Sequence, residues 1–253
     1  MSDLHLVRLS VDSQRLYAFA RRSGLPARDF DEGYALHAFF AALFDHGAPE
    51  DARVAPKPFR LMDPSKRALE VFGYTSLDHR GLAERAERFA DPAAWGVCDL
   101  ERATSKPMPS EFPVGTRLGF SVRVCPIRRI AKKGPMERER AEVDAFLARS
   151  WEVGPDVPLD RAEVYSEWLR EEVAKGGARV EGAAVERFQL DRLHRRTHGS
   201  ARRGHRSGRP DVTFEGTLEV TDTAAFGARL ARGLGRHRAF GFGMLLLRPP
   251  SRA

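Results

Sequence analysis

Cysteine is scarce in this chain of 253 residues: there are two, Cys98 and Cys125. Their separation fits neither a metal-ligand pattern nor a disulfide framework, and Cys125 lies in an apolar, strand-like run, so both are expected to fill core. No apolar run reaches the length of a membrane span, and the opening Met-Ser-Asp-Leu-His-Leu-Val-Arg lacks the charged-then-apolar pattern of a secretory signal. The expectation is a cytoplasmic protein with no membrane contact. Carboxylates such as Glu137, Glu139 and Glu142 are scattered or helical, and no set of His, Asp and Glu has the spacing of a two-metal nuclease. His194, His198 and His205 sit among arginines, whose charge repels a cation. No metal and no cofactor is therefore expected.

Acidic residues are missing altogether from two stretches. Between Arg192 and Arg209 there are seven arginines (Arg192, Arg195, Arg196, Arg202, Arg203, Arg206 and Arg209) and three histidines, and from Arg229 to the end six more arginines stand unopposed. The whole chain carries a net charge of +7, mostly through arginine, which favours a polyanionic partner. Strand-like sequence brackets the first basic stretch, Val185 to Leu193 before it and Val212 to Val220 after it, so it reads as the tip of a long hairpin. A basic hairpin tip suits a nucleic-acid backbone.

What is present in quantity near the C-terminus is glycine. In Gly-Leu-Gly-Arg-His-Arg-Ala-Phe-Gly-Phe-Gly-Met-Leu-Leu-Leu, residues 233 to 247, the glycines Gly233, Gly235, Gly241 and Gly243 let the backbone turn sharply and bring amides close to a ligand, and Arg236, His237 and Arg238 add charge. The apolar run Met244 to Leu247 reads as a buried strand that fastens this loop to a sheet.

A coarse reading of the elements finds one plan twice. A strand at Leu4 to Val11, a helix from about Gly33 to His46, strands at Phe59 to Met62 and Leu69 to Tyr74, a helix at Arg80 to Phe89 and a strand at Arg117 to Ile130 give βαββαβ, the ferredoxin-like order. Helices at Arg138 to Trp151 and Leu159 to Lys175 follow. The basic hairpin comes next, then a helix from Thr223 to Arg232 introduced by Thr221-Asp222, then the glycine loop and its strand. The expected fold class is α+β, with two tandem ferredoxin-like (RRM-like) domains, 1–135 and 136–253, facing a basic cleft.

Tyr34 and His37 open the first long helix and share a face, being three residues apart. Histidine moves protons near neutral pH and tyrosine can hold an attacking group in place. The same helix continues Ala-Phe-Phe-Ala-Ala-Leu-Phe, apolar on nearly every side, so a core histidine is the competing reading.

Taken together, Tyr34-Ala-Leu-His37 before an apolar helix, Cys125-Pro-Ile-Arg-Arg129, Phe214-Glu-Gly-Thr-Leu and the glycine loop, in that order along the whole chain, resemble the CasE family. These are the CRISPR-RNA-processing endoribonucleases of type I-E systems. The resemblance implies a metal-independent cut in the repeat stem-loop of precursor CRISPR RNA, with the 2′-OH upstream of the scissile phosphate as nucleophile and a 2′,3′-cyclic phosphate as product. It puts the catalytic histidine on His37, as base or acid, and its partner tyrosine on Tyr34. The arginines of the hairpin tip would grip the stem, which is read by shape and phosphates, while the loop from Gly233 to Gly243 holds phosphate near the cut. Implied partners are the repeat stem-loop, the mature crRNA and other Cascade subunits. The alternatives are a non-catalytic RNA-hairpin-binding subunit, in which His37 is core, and a general ribonucleoprotein component.

Overall fold

The computed structural model describes residues 4–25, 30–63, 67–131, 140–196 and 204–250, with the backbone alone at 131, 140–141, 191–196 and 204–208. The first half begins with strand β1 (His5–Asp12), whose Val7, Leu9 and Val11 are buried on one face. Helices α1 (Ser13–Arg22) and α2 (Glu32–Phe44) follow, then β2 (Phe59–Leu61), β3 (Ala68–Thr75), α3 (His79–Phe89) and β4 (Cys98–Pro107). Each of these helices starts at an aspartate, Asp12, Asp31 or Asp78, whose carboxylate accepts a first-turn amide. The antiparallel sheet runs β2-β3-β1-β4, the ferredoxin-like order.

The second half repeats that order with larger insertions. Strand β5 (Arg117–Val124) leads to a small hairpin of β6 (Ile127–Ala131) and β7 (Arg140–Asp144), then α4 (Ala145–Val153) and α5 (Arg161–Ala174). Next come β8 (Ala178–Arg196), β9 (Gly204–Val220), α6 (Thr223–Arg232), a 3-10 turn at Arg238–Phe240 and β10 (Leu245–Arg248). Its sheet runs β10-β5-β9-β8. Asp144, Asp160 and Asp222 cap the three helices.

Several sequence expectations are corrected. The strand expected over 117–130 as the last of the first half instead divides. Arg117–Val124 pairs with β9 and β10 in the second sheet, and Ile127–Ala131 pairs with β7. The first sheet is completed by β4, whose Cys-Asp-Leu-Glu-Arg-Ala-Thr-Ser-Lys-Pro buries only Cys98 and Ala103. An edge strand with so few buried residues leaves little apolar alternation to read. Helix α1 was not anticipated either, although Leu16, Phe19 and Ala20 give it an apolar face at helical spacing. The helix expected from Arg138 begins only at Ala145, because Arg140–Asp144 pairs as a strand and Asp144 then accepts the Phe146 amide at 2.8 Å. The expected domain boundary near residue 135 falls outside the described residues.

Other expectations hold. Helices α2, α3, α5 and α6 lie within two residues of their expected starts and ends, and β8 and β9 pair as far as Arg196 and Gly204, forming the long hairpin. Both cysteines are buried, with burial pushing each thiol up to about 12. One apolar core lies between the first sheet and α1, α2 and α3; a second surrounds Phe120, Phe214, Trp168 and Phe226. Tyr74 of β3 joins the second core, and its hydroxyl donates to the Leu245 carbonyl at 2.8 Å, tying one half to the other.

Candidate functional site

The glycine loop of the second half packs on the first turn of α2. Asp31 accepts the Tyr34 amide at 2.9 Å and fixes where the helix starts. Gly33 then has to be glycine, because a methyl group there would stand 2.3 Å from the Phe240 carbonyl oxygen. This close approach lets the Phe240 ring stack on Tyr34, with centroids 5.6 Å apart, and meet His37 edge-on at 5.5 Å. Two residues from the start of the chain and one from its end thus form one aromatic cluster.

His37 is half-buried and makes no hydrogen bond among the described residues. A histidine sealed in a core would be satisfied by a neighbour. Burial, followed by the charges of Lys57 and Arg53, holds its pKa below the ordinary 6.5, with Asp45 opposing. The imidazole is therefore neutral at pH 7 and able to take up a proton. Tyr34 lies one turn back on the same face.

The loop itself is rigid through its own bonds. Leu234 donates to the Gly243 carbonyl at 2.8 Å and Gly243 donates to the Arg123 carbonyl at 2.6 Å. Side chains are excluded at Gly243, where φ is +78° and a methyl group would stand 2.1 Å from the Leu234 oxygen. Gly233 donates to Arg229 and Phe240 to His237. The amides of Gly233 and Gly243, expected to meet phosphate, are thus engaged inside the protein. Gly235 and Gly241 adopt positive φ beside Trp168 and Phe59.

The basic residues sort into three groups. Arg192, Arg195, Arg196 and Arg206 lie on the paired strands of the long hairpin, with only their backbone described, and Arg202 and Arg203 fall outside the described residues. Arg209, Arg236 and His237, expected to bind RNA, converge on one carboxylate. Glu142 of β7 lies 2.8 Å from Arg209, 2.7 Å from Arg236 and 3.6 Å from His237. The side chains of Glu142 and His237 are 6% and 2% exposed, so this is an internal clasp, with Arg236 alone reaching solvent at 37%. Arg238 stands apart and donates to the Arg232 carbonyl at 3.0 Å.

Glu142 is the residue that sequence reasoning missed. It was placed on a helix as one acid among several, and nothing local in Arg-Ala-Glu-Val-Asp marks its partners, which are distant in the chain. The clasp holds His237 in the left-handed conformation, φ 59°, at the start of the turn that carries Phe240. Removing one partner of a buried ionic group leaves the others uncompensated, a cost of about 3–5 kcal/mol.

Among the described residues no group of three His, Cys, Asp or Glu side chains is placed to hold a metal ion, and no helix is long and apolar enough to cross a membrane.

Comparison with solved structures gives the same architecture. The CRISPR endoribonuclease Cse3 bound to a 19-nucleotide RNA aligns with a TM-score of 0.64 at 23% identity, over 98% of this chain and 100% of that one. Cse3 of Thermus thermophilus, bound to an RNA representing a pre-cleavage complex, gives 0.61 at 21%, covering 98% and 100%. Cas6e of Escherichia coli K-12 gives 0.56 at 20%, covering 97% and 99%. No curated protein sequence matches the chain. A family model described as CRISPR associated protein matches residues 4–249. Spanning nearly every residue from β1 to the end of β10, that match establishes that the chain belongs to the CRISPR associated protein family.

Proposed function

We propose that this chain is a metal-independent endoribonuclease that cuts the repeat stem-loop of precursor CRISPR RNA and keeps the mature crRNA as a subunit of a Cascade assembly in the cytoplasm. The observation that carries the reading is the cluster of Tyr34, His37 and Phe240, which places a neutral, half-buried histidine beside a tyrosine where the two halves meet. The shared fold of RNA-bound Cse3 and the CasE-like motifs support it.

In this reading the ribose 2′-OH attacks the adjacent phosphorus in line. The 2′-O–P bond forms, the P–O5′ bond breaks, and the products are a 2′,3′-cyclic phosphate and a 5′-OH. His37 accepts the proton of the 2′-OH, the role its lowered pKa favours, and the departing 5′-oxygen takes a proton from solvent. Tyr34 orients the 2′-OH or the phosphate. The charge that builds on the phosphoryl oxygens calls for nearby cationic donors. The hairpin arginines hold the stem backbone, an interaction that weakens with salt.

The deciding experiment is His37→Ala assayed on a repeat stem-loop, with and without excess chelator. Loss of cleavage by about 10²–10⁴-fold with binding retained is expected, and the wild type should cut equally well in chelator. Unchanged cleavage in the variant would remove His37 from the chemistry, and no cleavage by the wild type would leave a non-catalytic RNA-hairpin-binding subunit as the better reading. Abolished cleavage of the wild type by chelator would overturn the metal-free mechanism.

A further inference from the structure

A cavity of about 220 Å³ opens between the two halves beside the glycine loop. Arg60 of β2, Arg123 of β5 and Arg187 of β8 line it, so guanidinium groups from both sheets converge on one space. Their circumstances differ. Arg123 is neutralised by a two-pronged bond to Asp211, at 2.8 and 3.0 Å, and Gln189 donates to the same carboxylate at 2.6 Å. Arg60 donates to the Ser121 hydroxyl at 2.8 Å and forms no ion pair among the described residues. Burial, then the charge of Arg123, pushes its pKa below the ordinary value. Arg187 is exposed at the mouth and pairs with no carboxylate among the described residues.

A half-buried guanidinium with no carboxylate bonded to it is costly to keep charged. Asp31 and Glu32 also line the cavity, and their charge disfavours an anion close to them. Phe30 and Phe240 add rings to the lining, with the buried Phe59 and Phe242. Arginine forks and rings together match a phosphate joined to a flat base. The space is below the roughly 300–1,000 Å³ of a typical small-molecule site, which limits it to a single nucleotide.

We propose that this cavity is a subsite for one nucleotide, its phosphate on Arg60 and Arg187 and its base against Phe30 and Phe240. It is separate from Tyr34 and His37, neither of which lines it, and it communicates with them through Phe240, which touches both. The ligand is either a residue of the bound RNA or a free mononucleotide; only the first rests on the function proposed above.

The test uses the full chain freed of RNA, with 5′-AMP followed by ligand-observed NMR. Binding is expected, weaker by about tenfold for adenosine, which lacks the phosphate, and by a similar factor in Arg187→Ala. Arg187 is exposed on its strand, so that variant should fold; Arg60→Ala is the second, scored if its melting temperature stays near that of the wild type. A repeat stem-loop carrying 4-thiouridine at successive positions around the cut, irradiated in complex, separates the sources. Crosslinks to the Phe30 or Phe240 peptides that disappear in Arg187→Ala assign the site to RNA. AMP binding without such crosslinks assigns it to a free nucleotide. Absence of both, or AMP binding equal in the wild type and both variants, overturns the proposal. A wild type that does not cut the repeat stem-loop would sink the nuclease reading and leave the AMP result standing.

Discussion

The two halves of this protein are built on one sheet order and differ in what their connections carry. In the first, the crossover after β1 holds α1 and α2, and α2 buries Phe39, Phe40 and Phe44 while turning Tyr34 and His37 toward the other half. In the second, the equivalent crossover holds the β6–β7 hairpin, α4 and α5, and the following hairpin is drawn out to strands of 19 and 17 residues. The sheets are scaffold, and the proposed chemistry lies in the connections. Neither half has a complete site. In the proposed site the first supplies Tyr34 and His37, and the second supplies Phe240, whose turn starts at His237 beside the buried Glu142.

This contrast makes a prediction about where the molecule is fragile. Glu142→Ala leaves Arg209 and His237 buried without their shared carboxylate, and a loss of about 3–5 kcal/mol is expected in urea unfolding. Glu142→Gln, which keeps the shape and some hydrogen bonding, should lose less. A variant as stable as the wild type would show that the clasp does not hold the loop.

A smaller effect on stability and a large one on cleavage is expected from Gly33→Ala. The added methyl must push the Phe240 carbonyl away from α2, and a shift of this size in the catalytic geometry lowers the rate by about 10²-fold. Gly182→Ala on β8, where a methyl group meets nothing within 4 Å, is the matched control in the other half and should stay within about 0.5 kcal/mol of the wild type. Equal cleavage by the two variants would break the link between helix and loop.

The pH profile sharpens the role of His37. Because its pKa is lowered by burial and by Lys57 and Arg53, the neutral imidazole should already dominate above 6.5. Cleavage should rise with pH through an inflection below that value and then level. A rate that falls with pH would mean that the protonated form does the work, and an inflection above 6.5 would mean that bound RNA reverses the local field.

The smallest effect should be shared by both halves. Asp12→Ala and Asp222→Ala each remove a helix cap, bonded at 2.9 Å in either case, and each should cost about 1 kcal/mol. Unequal costs would mean that one of the two sheets leans on its helix more than the other.

Much of this organisation was legible in the chain. The apolar run after Tyr34 marked α2, and Thr221-Asp222 marked the start of α6. Alternation marked β1, β3 and β9, and the acid-free stretch between β-rich segments marked the long hairpin. Where the signal was weak, as in β4 with two buried residues, the reading slipped, and a better-patterned strand, Arg117–Val124, was put in its place. The amphipathic α1 was overlooked because it follows β1 without a break, its cap Asp12 being the last residue of the strand.

Local sequence was enough to settle the α+β class, the doubled ferredoxin-like plan and the presence of Tyr34 and His37 on one helical face, because periodicity and capping act over a few residues. Tertiary structure alone decided which sheet β5 joins, that Glu142 gathers Arg209, Arg236 and His237, and that Phe240 closes on Tyr34 and His37. These depend on residues far apart in the chain, and only packing brings a charge to its partner or a ring to its neighbour. An arginine in an acid-free run of sequence can still have a carboxylate beside it once the chain is folded.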